Sequence, residues 1–373
     1  MTDGRIAIFV PTLLFGGVER VMVNLAEGFC KRGFDVDLVA PQATGEFQAC
    51  VPSTVRIVNL ESPRVLTSLP KLVRYLHSER PAAVIAAMEH SSVAAIWARA
   101  IARVPTVIIA TVHTNLSEVV RHAPSMKVRL VPFISRTFLH QADAIVAVSQ
   151  GVAENLAQHA PKCRPRTCVI HNPIVTADIL SKAKEIVEHP WFQPGQAPVI
   201  LGVGRLAVQK DFATLIRAFA LLRRQRRARL VILGEGPERQ HLETLVADLG
   251  VAPDVLLLGY EGNPHRYMSK AALFVLSSAW EGFGNVLVEA LAAGVPVVAT
   301  DCRDGPREIL EKARCGRLVK VGDAEGMATA MLTSLDEAPE PAPAESLKVF
   351  TLDYVVDQYA ALLPKANGRN VRV

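Results

Sequence analysis

The chain has 373 residues, of which 50% are hydrophobic and 21% charged, and its net charge is +5. This composition excludes a disordered or fibrous protein and predicts a soluble, globular chain with two cores, because one core rarely grows beyond ~250–300 residues. The amino end lacks a signal-peptide pattern and no apolar run is long enough to span a membrane, so we expect a cytoplasmic protein. Six cysteines without C-x-x-C spacing predict free thiols and no metal site.

Strand and helix patterns alternate from the first residues. Arg5–Val10 is typical of a buried strand, Val18–Arg32 of a helix, and Asp35–Ala40 of a second strand. Further strands are predicted at Val55–Asn59, Ala83–Ala86, Thr106–Ala110 and Ala144–Val148. The alternation predicts a doubly wound, Rossmann-like α/β domain over residues 1–171.

The pattern weakens in residues 172–198, where four prolines surround one short helical stretch, and this predicts a linker. A second α/β series is predicted over residues 199–346. It is followed by a helix over Leu347–Pro364 within a C-terminal segment, 347–373, and we expect this helix to return to the N-terminal domain. Its strands are predicted at Val199–Val203, Leu230–Leu233, Val255–Leu258, Leu273–Leu276 and Val295–Ala299. Ligands of open α/β sheets bind at the carboxyl ends of the strands, so we expect the functional site in a cleft between the two domains.

The segment Ser278–Asp301 carries a carboxylate in an otherwise apolar, helix-length run, because Glu289 is the only charged residue between Glu281 and Asp301. Such a carboxylate is costly unless something pairs with it. Backbone N–H groups at a helix start favour a phosphate, and ionised carboxylates accept from hydroxyl groups. The pattern therefore predicts a site for a phosphorylated, polyhydroxylated ligand, which includes the residues that lead into the helix: Gly282, Phe283, Gly284, Asn285 and Val286.

The run E-G-F-G-N-V-L-V-E-A resembles the E-x7-E signature of retaining GT-B glycosyltransferases, specifically glycosyltransferase family 4. The resemblance extends over nearly the whole chain and is strongest in residues 199–311. It implies two Rossmann-like domains facing each other, a nucleoside-diphosphate sugar as donor, a glycan or lipid-linked acceptor, and no cofactor or metal. The run D-C-R-D-G-P-R-E-I-L departs from the commonest family form and is similar to a subset that builds bacterial surface glycans with hexose or N-acetylhexosamine donors.

Two cations follow the first strand of the second domain. Gly204 and Arg205 end that strand and Lys210 lies at the next helix start, where a planar guanidinium and an ammonium can hold a diphosphate. The spacing resembles the family's G-R-x-x-x-x-K diphosphate motif. The resemblance also implies that Gly234, in the turn L-G-E-G-P, lines the donor side and that the loop of Tyr260 meets the nucleotide base.

In the first domain, Gly16 and Gly17 close the first strand-to-helix loop and let a phosphate or sugar approach the backbone. They form no G-x-G-x-x-G, so the dinucleotide fingerprint is absent, which argues against a nicotinamide enzyme. The run G-G-V-E-R resembles the family's acceptor-side loop, which implies an acceptor role for Glu19, although a carboxylate in a first helical turn is stabilising by itself. His113 follows a strand, and the family often has a His or Asp there that touches the transferred sugar. A structural histidine is the alternative.

The resemblance implies a front-face reaction in which the leaving diphosphate accepts the acceptor's proton. Arg205 and Lys210 stabilise the growing charge without a metal, Glu281 holds sugar hydroxyls, and Glu289 holds the ribose diol. A sugar-nucleotide epimerase of the same architecture is the enzymatic alternative. A non-catalytic scaffold that binds nucleotide-sugar is the other.

Two basic regions bear on partners. Residues 121–140 combine Arg121, Lys127, Arg129 and Arg136 with apolar residues and no acid, which fits either an anionic inner-membrane surface or a solvated helix. The run Arg223–Arg229 ends a predicted helix, where basic charge is favourable, so nucleic acid is not expected as a partner.

Overall fold

A computed structural model describes residues 4–14, 16–121, 131–337 and 341–364. The chain divides into two compact units. Unit 1 comprises Met1–Ile174 and Phe350–Val373, and unit 2 comprises Val175–Val349. The chain therefore leaves unit 1 before residue 175 and returns to it at residue 350.

The core of unit 1 is a parallel sheet of seven strands in the order β3-β2-β1-β4-β5-β6-β7. The central strands are buried along their whole length, as the continuous apolar runs predict. The strands are β1 Ile6–Phe9, β2 Val36–Ala40, β3 Arg56–Asn59, β4 Ala83–Ala87, β5 Val107–Val112, β6 Ala144–Ala147 and β7 Thr167–Val169. The helices of unit 1 are Gly17–Lys31, Leu69–Glu79, Glu89–Ala102, Leu116–Arg121, Val131–Phe138, Gln150–His159 and Leu352–Ala361.

Unit 2 repeats the arrangement with six parallel strands in the order β10-β9-β8-β11-β12-β13. The strands are β8 Val199–Val203, β9 Arg229–Leu233, β10 Val255–Gly259, β11 Leu273–Leu276, β12 Val297–Thr300 and β13 Arg317–Val319. The helices are Ala177–Lys182, Phe212–Arg223, Arg239–Asp248, Pro264–Met268, Asn285–Ala292, Pro306–Ala313 and Ala324–Asp336. Phe219 and Met331 pack with the apolar side chains of the sheet in one buried cluster.

The predicted α/β class with two Rossmann-like domains is confirmed. In each sheet the strand order reverses beside the first strand, between β1 and β4 in unit 1 and between β8 and β11 in unit 2. The carboxyl ends of these strands form the crevice in which open α/β sheets bind ligands. Every predicted binding residue in unit 2 follows one of four strands of its sheet, which are β8, β9, β10 and β11.

The last described helix, Leu352–Ala361, packs against Gly17–Lys31 and so belongs to unit 1, as expected for a helix that returns to the first domain. It begins at Leu352 rather than at residue 347, because Ala344–Phe350 forms 3-10 turns. Gly28 permits the contact, since a Cβ there would lie 2.5 Å from Val356 Cγ2. Arg32 Nη2 donates to the Asp353 carbonyl at 2.7 Å beside the same contact.

Residues 175–198, which fall within the predicted linker 172–198, are part of unit 2. Thr176 caps the helix Ala177–Lys182 by accepting from the Ile179 N–H at 3.2 Å. Residues 365–373 of the predicted C-terminal segment lie outside the described residues. In the part of the chain that the structure describes, no helix is long and apolar enough to span a membrane.

Candidate active site

The loops after β8 and β9 are packed backbone to backbone. A Cβ at Gly234 would lie 1.9 Å from the Gly204 carbonyl oxygen, and one at Gly236 would lie 2.2 Å from the Leu206 carbonyl oxygen. The Leu206 N–H donates to the Glu235 carbonyl at 2.9 Å. Only glycine fits these two positions, so the glycines of the G-E-G-P turn place the loop of Arg205 directly against the end of β9.

Lys210 and Glu281 form a largely buried ion pair. Lys210 Nζ lies 2.5 Å from Glu281 Oε1, and the two side chains are 18% and 8% exposed. Ser278 Oγ donates to the same oxygen at 2.6 Å, while Ser277 Oγ donates to the Lys210 carbonyl at 2.7 Å. These contacts join the loop after β8 to the loop after β11, the two strands that flank the reversal of strand order.

The pair leaves part of each group available. Glu281 Oε1 takes both contacts, and no hydrogen bond to Oε2 occurs within the described ranges. The carboxylate also acts on its surroundings, because burial and the nearby charge of Glu281 raise the pKa of the Cys302 thiol to about 12. Arg205 differs from Lys210: its side chain is exposed, and none of the residues described here forms an ion pair or hydrogen bond with it.

The loop Gly282–Gly284 leads into the helix Asn285–Ala292 through a left-handed residue. Gly284 has φ +99° and precedes the helix without a side-chain cap, so the helix start carries no competing side chain. A Cβ at Gly305 would lie 1.8 Å from the Phe283 carbonyl oxygen, which shows how closely the loop after β12 packs on this segment. Phe283 itself is buried at 3% exposure and anchors the loop.

Glu289 has a neighbour that the sequence did not predict. His265 Nδ1 lies 3.8 Å from Glu289 Oε2, and the two side chains are 7% and 17% exposed. His265 stands in the helix Pro264–Met268, shortly after Tyr260, whose ring is 59% exposed. The signal that the sequence offers for His265 is its position, two residues after the G-Y-E-G-N loop that was assigned to the nucleotide base.

In unit 1, Gly16 ends the first strand-to-helix loop, and the helix begins at Gly17, one residue before the predicted start. Gly16 is the residue before the helix, and a Cβ there would lie 2.2 Å from Glu19 Oε2. Glu19 thus folds back over the helix start, as the acid of a capping box does. Burial raises the pKa of the Glu19 carboxyl group. The helix-start explanation accounts for this geometry, and the acceptor role of Glu19 stays a prediction.

His113 is buried and its tautomer follows from its neighbours. Thr111 Oγ1 donates its proton to the Ala86 carbonyl at 3.0 Å, so it accepts from His113 Nε2–H, which lies 2.8 Å away. Nδ1 then carries the lone pair, and no described residue hydrogen-bonds to it. Burial lowers the pKa of His113 to about 4, so near neutral pH the ring is uncharged and can accept a hydrogen bond at Nδ1.

The structure brings three of the predicted site residues of unit 2 into contact. Lys210 and Glu281 are in contact, and Gly204 underlies the side chain of Lys210, whose Cε would lie 3.2 Å from a Cβ at that glycine. Gly16, Gly17, Glu19 and His113 belong to unit 1. Of the basic stretch 121–140, residues 122–130, with Lys127 and Arg129, lie outside the described residues. Its described part ends in the helix Val131–Phe138, where Phe133 is 68% exposed.

Two family models match the chain. The model for Glycosyltransferase Family 4 covers residues 15–178, and the model for glycosyl transferases group 1 covers residues 184–345. The chain is 31% identical over 345 residues to the N-acetylgalactosamine-N,N'-diacetylbacillosaminyl-diphospho-undecaprenol 4-alpha-N-acetylgalactosaminyltransferase of Campylobacter jejuni, covering 89% of this chain and 90% of that protein. It is 29% identical to the lipopolysaccharide core biosynthesis glycosyltransferase LpsE of Rhizobium meliloti, covering 85% of this chain and 84% of LpsE.

Solved structures with the same fold include HepE of Anabaena in complex with UDP and glucose, at a TM-score of 0.77 and 22% identity, with 96% of this chain and 99% of HepE covered. WaaG, a glycosyltransferase involved in lipopolysaccharide biosynthesis, matches at a TM-score of 0.71 and 17% identity, with 97% of this chain and 100% of WaaG covered. The fold and the paired strand-end loops define a GT-B glycosyltransferase. The chain belongs to glycosyltransferase family 4, as the E-x7-E segment predicted.

Proposed function

We propose that this glycosyltransferase moves a hexose or N-acetylhexosamine from a UDP-sugar to a glycan or lipid-linked acceptor during assembly of a bacterial surface polysaccharide, with retention of anomeric configuration. The observation that carries the donor assignment is the Lys210–Glu281 ion pair, in which Lys210 belongs to the same strand-end loop as Arg205, whose side chain is exposed. HepE, which shares the fold, binds UDP and glucose, and this supports UDP as the nucleotide. The Campylobacter relative, named for a diphospho-undecaprenol substrate, supports a lipid-linked acceptor.

The catalytic step follows from the charges in unit 2. As the bond between the sugar and the diphosphate breaks, negative charge grows on the diphosphate, and Arg205 and Lys210 stabilise it in place of a divalent metal. In the front-face path the diphosphate takes the proton of the attacking acceptor hydroxyl while that hydroxyl oxygen bonds to the anomeric carbon on the same face. Glu281 keeps Lys210 in position through Oε1 and binds a hydroxyl of the transferred sugar through Oε2.

The remaining donor contacts follow the same arrangement. Glu289 binds the ribose diol, the loop of Tyr260 meets the base, and the turn of Gly234 lines the nucleotide. Backbone N–H groups of residues 282–286 at the helix start bind the sugar and phosphate oxygens. In unit 1 the loop of Gly16 and Gly17 allows close approach of a phosphate or sugar, Glu19 binds the acceptor, and the Nδ1 lone pair of His113 accepts a hydroxyl of the transferred sugar.

The test is a donor and acceptor panel. The protein is incubated with UDP-glucose, UDP-galactose, UDP-N-acetylglucosamine or UDP-N-acetylgalactosamine, with and without a bacterial undecaprenyl-diphosphate-linked glycan fraction, and UDP release is followed. We expect one donor to release UDP faster when the glycan fraction is present, an unchanged rate in EDTA, and a product whose anomeric proton coupling matches that of the donor.

Each alternative gives a different result. Conversion of one UDP-sugar into its epimer without UDP release would identify an epimerase. Nucleotide-sugar binding without turnover would identify a scaffold. A rate that collapses in EDTA and recovers with a divalent metal would contradict the metal-free mechanism.

A further inference from the structure

A second buried carboxyl group lies at the functional edge of unit 1. Glu89 begins the helix that follows β4, and the residue is only 3% exposed. Strand β4 lies between β1, which leads to the Gly16 loop, and β5, which leads to His113. The carboxyl ends of neighbouring parallel strands meet at one edge, ~4.8 Å apart, so Glu89 lies between the proposed acceptor loop and the residue proposed for the transferred sugar.

The protein gives this carboxyl group little compensation for its burial. Its one described side-chain partner is Thr114, whose Oγ1 lies 3.4 Å from Glu89 Oε1, a long hydrogen bond. Burial raises the pKa of the Glu89 carboxyl group to about 7, although hydrogen bonds from the Glu89 backbone and from Thr114 act in the opposite direction. By contrast, the buried Asp37 at the opposite edge of the same sheet accepts from Arg56 Nε at 2.8 Å and from the Tyr75 hydroxyl at 2.7 Å.

The backbone before Glu89 is also unfavourable. Met88 has φ +68° and ψ 160°, a region that residues with a Cβ rarely adopt. A strained residue and an under-compensated carboxyl group therefore stand next to each other in the chain. Backbone strain and a buried, weakly hydrogen-bonded carboxyl group both destabilise the fold, and features of this kind are typical of ligand-binding sites.

The chemistry of the neighbouring groups points to the ligand. Thr114, which contacts Glu89, directly follows His113, whose Nδ1 offers a lone pair. A carboxyl oxygen and an imidazole lone pair both accept hydrogen bonds, so together they recognise a ligand that donates several of them. A sugar presents adjacent hydroxyl groups that do this.

We propose that Glu89 binds a hydroxyl group of the sugar acceptor, next to the point where His113 holds the transferred sugar. This assignment rests on the glycosyltransferase function proposed above and adds a residue to its acceptor site. Glu89 then orients the acceptor. Its burial lowers the stability of the fold, and the same burial holds the carboxyl group where it can bind the acceptor.

The test separates binding from folding. Glu89→Met keeps the volume of the side chain but cannot accept the hydroxyl, and Glu89→Gln keeps one acceptor oxygen. For each variant, the thermal unfolding midpoint, donor hydrolysis without acceptor, and the half-saturating concentration of the undecaprenyl-diphosphate-linked glycan fraction are measured. We expect Glu89→Met to unfold at the same or a higher temperature, while the half-saturating concentration rises at least ~10-fold more than donor hydrolysis falls. Glu89→Gln should lie between it and the unaltered protein.

Asp37→Asn is the matched control, because it removes another buried carboxylate of the same sheet. Asp37 lies near the amino end of β2, whereas the proposed site lies at the carboxyl ends of the strands. It should lower the unfolding temperature and leave the half-saturating acceptor concentration unchanged. The assignment is overturned if Glu89→Met leaves that concentration unchanged, or if it lowers the unfolding temperature with parallel loss of both activities. If the unaltered protein itself shows no acceptor-dependent UDP release, the proposed function fails, and the acceptor assignment fails with it.

Discussion

The two cations of the proposed diphosphate site differ in what else they contact. Arg205 is exposed and contacts no partner in the described ranges, whereas Lys210 neutralises the buried Glu281. Arg205→Ala should therefore reduce kcat by ~10²–10³ with unchanged stability, because it removes only transition-state stabilisation. Lys210→Ala should reduce kcat similarly and also lower the free energy of unfolding by about 1–3 kcal/mol, since it leaves a buried carboxylate unpaired. Steady-state kinetics and urea unfolding measure the two effects.

A double variant separates the roles of Lys210. Lys210→Met with Glu281→Gln removes both charges, so stability should recover while turnover stays low. Near-normal turnover in both single variants would rule out a diphosphate site at these residues.

The predicted role of Glu289 concerns donor binding. Its carboxylate should accept from both ribose hydroxyls, so Glu289→Gln should raise the donor KM and reduce the preference for UDP over 2′-deoxy-UDP, as measured by competitive inhibition. His265→Gln is the control for the neighbouring ring, because it leaves the carboxylate in place. An unchanged ribose preference in Glu289→Gln would leave only a structural role for this residue.

Glu89 should also make stability depend on pH. Burial raises its pKa from an ordinary 4.5 to about 7, so the folded state holds the proton more tightly than the unfolded chain does. The stability from that proton is complete below pH ~4.5 and is lost as the pH rises through ~7. The amide in Glu89→Gln has no such proton to lose. The free energy of unfolding of this variant should therefore increase relative to that of the unaltered protein between pH 5 and 8, by up to about 3 kcal/mol.

Urea unfolding of both proteins across that range gives the difference directly. The contributions of His90 and His113, whose pKa values are lowered by burial, are common to both proteins and cancel in the comparison. A difference that does not change with pH would mean that the Glu89 carboxyl group is not desolvated.

At the level of secondary structure, the sequence predicted most of the strands and missed two short ones. Of the thirteen strands within the described residues, eleven were predicted, but β7 Thr167–Val169 and β13 Arg317–Val319 were not. Both have only three residues, lie at sheet edges and are partly exposed, so they carry no burial pattern to read. The start of the last helix was placed too early, because the apolar pattern continues through the 3-10 turns before it.

The candidate site was predictable where chemistry is local. The E-x7-E segment and the G-R-x-x-x-x-K spacing mark residues by themselves, whereas the contact between Lys210 and Glu281 depends on β8 lying beside β11. Glu89 and His265 gave no comparable signal. Their significance comes from burial and from neighbours that are distant in the sequence, such as Thr114 for Glu89.

The basic segment 121–140 makes a testable prediction about membranes. Electrostatic attraction and shallow insertion should bind the protein to vesicles of phosphatidylglycerol and phosphatidylcholine, and binding should weaken as salt rises. Replacing Lys127, Arg129 and Arg136 with Glu should abolish binding and leave donor hydrolysis intact. Flotation measures the binding, and UDP release without acceptor measures the hydrolysis. The matched control replaces Arg217, Arg224 and Arg227, three exposed arginines of unit 2, with Glu. An unaltered protein that stays unbound at low salt would favour a soluble acceptor.

For the whole molecule, the division into units predicts an unequal response to truncation. Unit 2 is one continuous segment, whereas unit 1 needs the helix Leu352–Ala361, which buries Val355, Val356 and Tyr359. A chain ending at Val349 should expose unit 1 to limited proteolysis while unit 2 still binds UDP, as mass spectrometry and calorimetry can measure. A chain ending at Pro364 is the control and should stay resistant. Equal resistance of both chains would show that the helix is dispensable.

The contact between Arg32 and Asp353 joins residues 321 positions apart. During synthesis, the helix Gly17–Lys31 therefore leaves the ribosome long before the helix Leu352–Ala361 that covers it. Every residue of unit 2 has emerged before Leu352–Ala361 does. Unit 2, the half proposed to bind the nucleotide, is thus the first part of the protein that can be complete. The half that begins the chain has to wait, partly folded, with one face of its first helix uncovered, and that interval is when the nascent protein is most exposed to aggregation and to chaperones.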